Sequence, residues 1–241
     1  MDLAIFDVDG TLANTNPVDA RCYVRAVAEE LGVDLSAATW SDFTHVTDSG
    51  ISQEVVRRYC GREPATDELA RLQARFRDLL AAAARAEPEA FSAVPGAARA
   101  LRQLTDHPSW AVAIATGSWR ACADVKLRAA ALDVAGVPAA FADDGLARED
   151  ILRTAISRAL ESYHQQRFSR IVSIGDAPWD VHAARHLGLP FVGVRTRGDA
   201  ETLRRLGASH VIRDLTDLDL LLRCLAEARV PSPGLGAMPV S

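Results

Sequence analysis

Asp7 and Asp9 stand one residue apart where the apolar run LAIF ends, and Gly10 and Thr11 follow them. Two like charges at the end of a buried strand are costly unless a cation or a proton accompanies them. Polar groups recur where other apolar runs stop. Thr116, Gly117 and Ser118 follow AVAIA, and Asp176 and Asp180 lie in GDAPWD after IVSI. Between these, Arg148 opens a helical pattern shortly after PAAFADDG. Three carboxylates near one point suit Mg²⁺, which takes few protein ligands and keeps waters that a phosphate replaces. The Thr116 hydroxyl, the adjoining backbone N–H groups and the Arg148 cation suit phosphoryl oxygens. The plainer alternative is an acidic turn closed by Gly10, with Asp176, Asp180 and Ser118 serving only to cap helices.

These residues need a scaffold that gathers strand ends. Residues 3–8 read as a strand, and a long helical block follows. VDARCYVRAVAEELGV closes on Gly32 as a C-cap, and ISQEVVRRYCG stops at Gly61. ATDELARLQARFRDLLAAAARA has Thr66 or Asp67 placed to cap its start. From Pro95 and Gly96 onward, strands and helices alternate. The strands are SWAVAIATGS, PAAFADD, SRIVSIGD, PFVGVRT and HVIRDL. Such alternation predicts a doubly wound parallel α/β sheet covered on both faces. The domain expectation is a core of 1–15 and 90–228, an inserted α-helical cap of 16–89, and a fraying tail of 229–241. Ligands in such sheets bind beyond the carboxyl ends of the strands, where an insertion can act as a lid.

Composition narrows the function classes. The 241 residues are 49% hydrophobic and 24% charged with a net charge of −5, which gives no reason to expect a nucleic-acid or membrane partner. No apolar run reaches spanning length, and the first residues read as a strand rather than a signal peptide. Cys22, Cys60, Cys122 and Cys224 have neither metal-type nor disulfide-type spacing, which fits reduced thiols and a cytoplasmic location. Lys126 is the sole lysine, so mechanisms that need a lysine Schiff base elsewhere in the chain are closed.

DVDGT, then IATGS, then a basic residue opening a helix, then IGDAPWD resembles the haloacid dehalogenase-like hydrolase superfamily, in order and spacing across nearly the whole chain. The helical insertion resembles the cap of its phosphoglycolate phosphatase-like and β-phosphoglucomutase-like members. The resemblance implies a Rossmann-like core and a small phosphorylated metabolite as substrate. It implies Asp7 as a nucleophile that forms an aspartyl-phosphate, and Asp9 as the general acid and base. Thr116 would bind a phosphoryl oxygen, with Gly117 and Ser118 beside it. Asp7, the backbone carbonyl of Asp9, and Asp176 would hold Mg²⁺. Asp180 would support that shell, and Thr11 would steady the loop.

The chain departs from the family at the third segment, where DGLAREDIL carries arginine in place of the usual lysine. Lys126, ten residues past Thr116 on a predicted helix, is expected about 15 Å down the axis, so Arg148 is preferred for the cationic role. Asp9 favours a phosphate ester over halide displacement, because halide needs no proton. The lysine-free cap closes the phosphonate-cleaving route. A phosphatase is favoured, with a β-phosphoglucomutase-type mutase as the alternative and a non-catalytic phosphate- or protein-binding relative behind both. A receiver domain is about half as long and places its acceptor on an internal strand. Within DFTHVTDSGISQE, His45, Thr47, Asp48 and Ser49 are candidates to touch the leaving group, as is Arg120; a solvated loop is the alternative. Trp119 and Trp179 flank the site and read first as packing. Nothing in the sequence indicates the oligomeric state.

Overall fold

The computed structural model describes residues 1–195, 198 and 200–232. Its core is a six-stranded, all-parallel sheet in the order β3-β2-β1-β4-β5-β6. The strands are β1 (Asp2–Phe6), β2 (Trp110–Ala115), β3 (Ala139–Ala140), β4 (Ile171–Gly175), β5 (Phe191–Val194) and β6 (His210–Ile212). Strand side chains alternate between two buried layers, as a period of two dictates. Ala4, Phe6, Val112, Ile114, Val172 and Ile174 pack on one side with α4 (Ala97–Thr105) and α9 (Leu218–Glu227). Leu3, Ile5, Ala111 and Ala113 pack on the other with α6 (Arg148–Ser162) and Ala183 of α7 (Pro178–His186). Helix α8 (Glu201–Arg205) joins β5 to β6. The chain order reverses between β1 and β4, so the loops after those two strands flank the crevice where such sheets bind ligands.

The helical insertion carries its own core. Helix α1 (Asn16–Leu31) starts with Pro17 in its first turn and ends at Gly32, whose φ of +68° is left-handed. Helix α3 (Thr66–Ala86) packs along α1, and Tyr23 meets Phe76 edge-on at 5.3 Å and Trp40 at 5.9 Å. The buried Tyr23 hydroxyl is hydrogen-bonded to Ser52 Oγ at 2.7 Å. The cap's apolar cluster extends into the core through Trp119, Cys122 and Ala142, so the two units share a packed seam beside α5 (Arg120–Ala129).

Two local expectations change. Neither Thr66 nor Asp67 caps α3; the N-cap is Ala65, whose backbone N–H is instead accepted by Glu68 Oε2 at 3.4 Å. The second cap helix begins earlier than ISQEVVRRYCG suggests. Helix α2 spans Asp48–Val55, because Thr47 Oγ1 accepts the Gly50 N–H at 3.0 Å, and a π-turn over Val56–Cys60 carries it to Gly61. The expected loose tail begins bonded: Arg229 O accepts from Phe191 N, and Pro231 O from Arg185 Nε. From residue 233 that tail lies outside the described residues. No helix among the described residues is long and apolar enough to cross a membrane.

Candidate active site

Asp7 follows directly on β1, and its backbone N–H bonds the carbonyl of Ile174 on β4. That bond holds the ends of the two strands together. Carboxylate oxygens of Asp7, Asp176 and Asp180 consequently lie within 4.8 Å of one another, all buried. Gly10 makes the approach possible. Its φ is +81°, and a Cβ there would run into the Asp176 carboxylate and the Asn16 amide. Arg148, at the start of α6, donates from Nη1 to Asp180 Oδ1 at 2.6 Å and to Asp7 Oδ1 at 3.3 Å, while its Nε donates to Val46 O at 3.1 Å. A Cβ on Gly117 would lie 2.8 Å from Arg148 Nη2, so that glycine leaves room for the guanidinium.

The cluster holds more negative charge than it balances. Burial raises the Asp7 carboxyl well above its ordinary range; Asp180, Asp176 and Asp9 add to the rise, against the lowering by Arg148. Burial, then Asp180, pushes Asp176 up to about 7 although Arg195, Asn16 and Arg148 oppose it. Asn16 Nδ2 donates to Asp176 Oδ2 at 3.1 Å, and Arg195 Nη1 donates to the Asp176 carbonyl at 2.8 Å. An all-oxygen set of three crowded carboxylates, with a net negative balance, fits a hard divalent cation such as Mg²⁺. Asp180, expected behind this set, is one of its three members; its other oxygen accepts the Ala177 N–H at 3.0 Å.

Asp9 belongs to a second, adjacent network. Its Oδ1 accepts from Thr15 Oγ1 at 2.5 Å, and its Oδ2 accepts from Lys126 Nζ at 2.6 Å and Ser118 Oγ at 3.3 Å. Thr15 is the N-cap residue of α1 but makes no side-chain cap, because its hydroxyl is committed to Asp9.

Lys126 overturns the expectation that it points away from the strand ends. The helix starts only at Arg120, and helical side chains lean back toward the N-terminus. Its fully buried Nζ donates to Asp9, Asp19 and Ser118, each at 2.6 Å. Burial alone would lower its pKa, but Asp19, Asp9 and Asp48 together hold it raised. Among the described residues, Lys126 thus joins Arg148 and Arg195 as a cation at the site. Arg148 serves the Asp7 cluster and Lys126 serves Asp9.

Ser118 does not cap the next helix. The first N–H groups of α5 go to acceptors from outside that turn: Asp48 Oδ2 takes Trp119 N at 2.8 Å, and Asp143 Oδ2 takes Arg120 N at 2.6 Å. Thr116 Oγ1 accepts from Ser118 N at 3.2 Å and lies buried beside Asp7 and Gly117. The buried Thr11 hydroxyl has no hydrogen-bond partner among the described residues.

A cavity of about 350 Å³ lies beside these two networks, lined by both core and cap. Asp9, Gly117, Ser118, Arg148 and Asp176 line its core side, and Asp19, Tyr23, Trp40, Thr47, Asp48 and Ile51 its cap side. The polar cap loop mostly clasps the core. Thr47 Oγ1 donates to Leu146 O at 2.7 Å, Ser49 Oγ to Ala142 O at 2.6 Å, and Asp48 N to Gly117 O at 2.7 Å. Trp119 is buried in this seam, its Nε1 donating to Ser49 Oγ. His45 and Arg120 lie off the cavity. His45 borders an adjoining groove with His182 and His186, which shares Arg148 and Trp179 with the cavity, and the Arg120 guanidinium sits 4.2 Å from the Phe141 ring centre. Trp179 lines the cavity, 5.8 Å from the Arg148 guanidinium.

Thr15, Asn16, Asp19 and Arg195 were not singled out by sequence. Asp19 carried a usable signal, since it shares the apolar stripe of α1 with Cys22, Tyr23 and Ala26.

The family model for haloacid dehalogenase-like hydrolases matches residues 1–188. No curated protein matches. Among solved structures, the chain is similar to a hydrolase from Pseudomonas syringae, at 23% identity and a TM-score of 0.70, covering 92% of this chain and 98% of that one. It is similar to a putative β-phosphoglucomutase from Bacteroides vulgatus, at 18% identity and a TM-score of 0.65, covering 95% and 90%. It is also similar to CbbY from Rhodobacter sphaeroides in complex with phosphate, at 22% identity and a TM-score of 0.60, covering 90% and 95%.

Proposed function

The chain belongs to the haloacid dehalogenase-like hydrolases, and from that premise we propose that it hydrolyses a small phosphate monoester through a phosphoryl group carried on Asp7. The observation that carries this reading is the pairing of two carboxylates with separate environments at one rim. Asp7 sits in the metal-type cluster with Arg148, and Asp9 sits beside the cavity with Lys126, Thr15 and Ser118.

In this mechanism an Asp7 oxygen attacks phosphorus and the bond to the ester oxygen breaks. Asp9 gives its proton to the departing oxygen. Asp9 then takes a proton from water as that water attacks phosphorus, the bond to Asp7 breaks, and inorganic phosphate leaves. Arg148, the Thr116 hydroxyl and the Gly117 N–H hold phosphoryl oxygens, as electrostatic stabilisation of the transferring group requires. Lys126, Thr15 and Ser118 orient the Asp9 carboxylate. Asp7 and Asp176, with Asp180 and the Asp9 carbonyl, would hold Mg²⁺. When bound, that ion neutralises phosphoryl charge that would otherwise repel the nucleophile. The phosphate in the similarly folded CbbY structure supports a phosphoryl ligand for this site.

The test is phosphate release from an aryl phosphate and a panel of monoesters, with Mg²⁺ or EDTA, for the wild-type protein and Asp7→Asn. Mg²⁺-dependent release that Asp7→Asn abolishes supports the reading. Isomerisation of a sugar phosphate without phosphate release would replace it with a mutase, and release that Asp7→Asn leaves intact would remove Asp7 from the chemistry.

A further inference from the structure

We propose that the site selects phosphate monoesters whose leaving alcohol carries a positively charged nitrogen. This rests on the reading of Asp7 as the phosphoryl acceptor, because that reading fixes which end of the cavity takes the phosphate.

With phosphorus at Asp7, the leaving group extends toward the cap. The charged side chains that residues 16–55 contribute to this cavity are Asp19 and Asp48, both acidic. Among the described residues the cationic lining side chains are Arg148 and Arg195, held by Asp7, Asp180 and the Asp176 carbonyl, with Arg148 Nε also on the Val46 carbonyl. Lys126 offers the cap side no free charge. It is fully buried behind the wall, with Nζ already 2.6 Å from both Asp9 and Asp19. With Asp9 holding the proton it gives to the leaving oxygen, Asp19 and Asp48 face the cap end of the cavity as two carboxylates against the one Lys126 ammonium.

Burial pushes Asp19 up to about 6 even with Lys126 against it, and burial followed by the Asp19 charge raises Asp48. A second phosphate or a carboxylate on the leaving group would add to this excess and meet no cation from the cap. A substrate ammonium would relieve it. The rings of Tyr23 and Trp40 border the same space, and aromatic faces attract cations.

Three esters of matched size separate charge from shape: 2-aminoethyl phosphate, n-propyl phosphate and carboxymethyl phosphate. Turnover is measured with Mg²⁺ for the wild-type protein and for Asp48→Asn, a change that keeps an oxygen to accept the Trp119 N–H. Binding of the same esters to Asp7→Asn is measured by calorimetry. The expected order in both kcat/KM and affinity is aminoethyl, then propyl, then carboxymethyl. The first step is about tenfold or more, which corresponds to about 1.4 kcal/mol. In Asp48→Asn the aminoethyl-over-propyl ratio falls several-fold. Equal values, or a carboxymethyl ester that is preferred, would overturn the proposal. Because binding to Asp7→Asn reads the same order, the proposal is decided even if no ester is hydrolysed. Absence of turnover with the order intact would count against the hydrolase reading alone.

Discussion

Replacing Lys126 by methionine removes the charge and keeps most of the volume. In the folded protein, Nζ is fully buried and makes three contacts of 2.6 Å, two of them to carboxylates. Deleting one partner of a buried ion pair leaves an uncompensated charge, at a cost of about 3–5 kcal/mol. For a chain of this length each kcal/mol moves the melting temperature by about 2–4 °C, so Lys126→Met is expected to melt about 6–20 °C lower near pH 7.5. The pH dependence gives the argument its sign. In the folded state burial holds Asp19 at about 6, above its ordinary value of 3.8. A carboxyl raised in this way favours folding most fully below its unfolded pKa, and that contribution is lost as pH rises through the folded one. Without the lysine, which lowers it, Asp19 shifts further up. The deficit against wild type is therefore expected to be widest above pH 6 and to shrink toward pH 5. Thermal unfolding followed by circular dichroism across pH 5–8 in EDTA reads both effects. A variant within about 1 kcal/mol of wild type at pH 7.5, where losing a single buried partner should cost several times that, or a deficit that grows on acidification, would refute the reasoning.

Gly10→Ala forces a non-glycine residue to a φ of +81° and drives a methyl into the Asp176 carboxylate. The backbone conformation alone costs about 1–2 kcal/mol, so a lower melting temperature and a loss of phosphate release are expected together. Mg²⁺ at a hundredfold excess over its dissociation constant should stabilise the wild type by about 2.7 kcal/mol, seen as a raised melting temperature that Asp176→Asn diminishes. Arg77→Ala serves as a control. Among the described residues Arg77 pairs with its neighbour Asp78 alone, on an exposed face, so the variant's stability is expected to stay within about 0.5 kcal/mol of wild type.

Much of this molecule can be read from local pattern. The parallel sheet follows from apolar strands such as AVAIA and IVSI alternating with helices, and the strand order then brings the residues after β1 and β4 to one crevice. Asp7, Asp176 and Arg148 meet there because each directly follows a strand or opens a helix, positions that sequence marks well. What escapes depends on where side chains lean. Helical rise alone puts Lys126 far from the strand ends, whereas the start point of its helix and the backward tilt of its side chain bring Nζ to Asp9. Ser118 carries a typical capping residue type, yet a lysine eight residues on and an aspartate from the cap outcompete that role. Asn16 and Thr15 belong to the first turn of an inserted helix, and their partners Asp176 and Asp9 come from the core. No spacing within the helix predicts such contacts. His45 and Asp48, three residues apart in one polar loop, part company because the start of α2 turns Asp48 toward α5 and leaves His45 on another groove.

The central claim is that Asp7 accepts the phosphoryl group. The most direct measurement is rapid acid quench of the protein mixed with an aryl phosphate and Mg²⁺, followed by proteolysis and mass spectrometry, with Asp9→Asn used to slow breakdown of the intermediate. The expected result is one added phosphoryl group on the peptide that contains Asp7, absent from Asp7→Asn. Phosphate release at full rate with no label on that peptide, or a label that persists in Asp7→Asn, would contradict it.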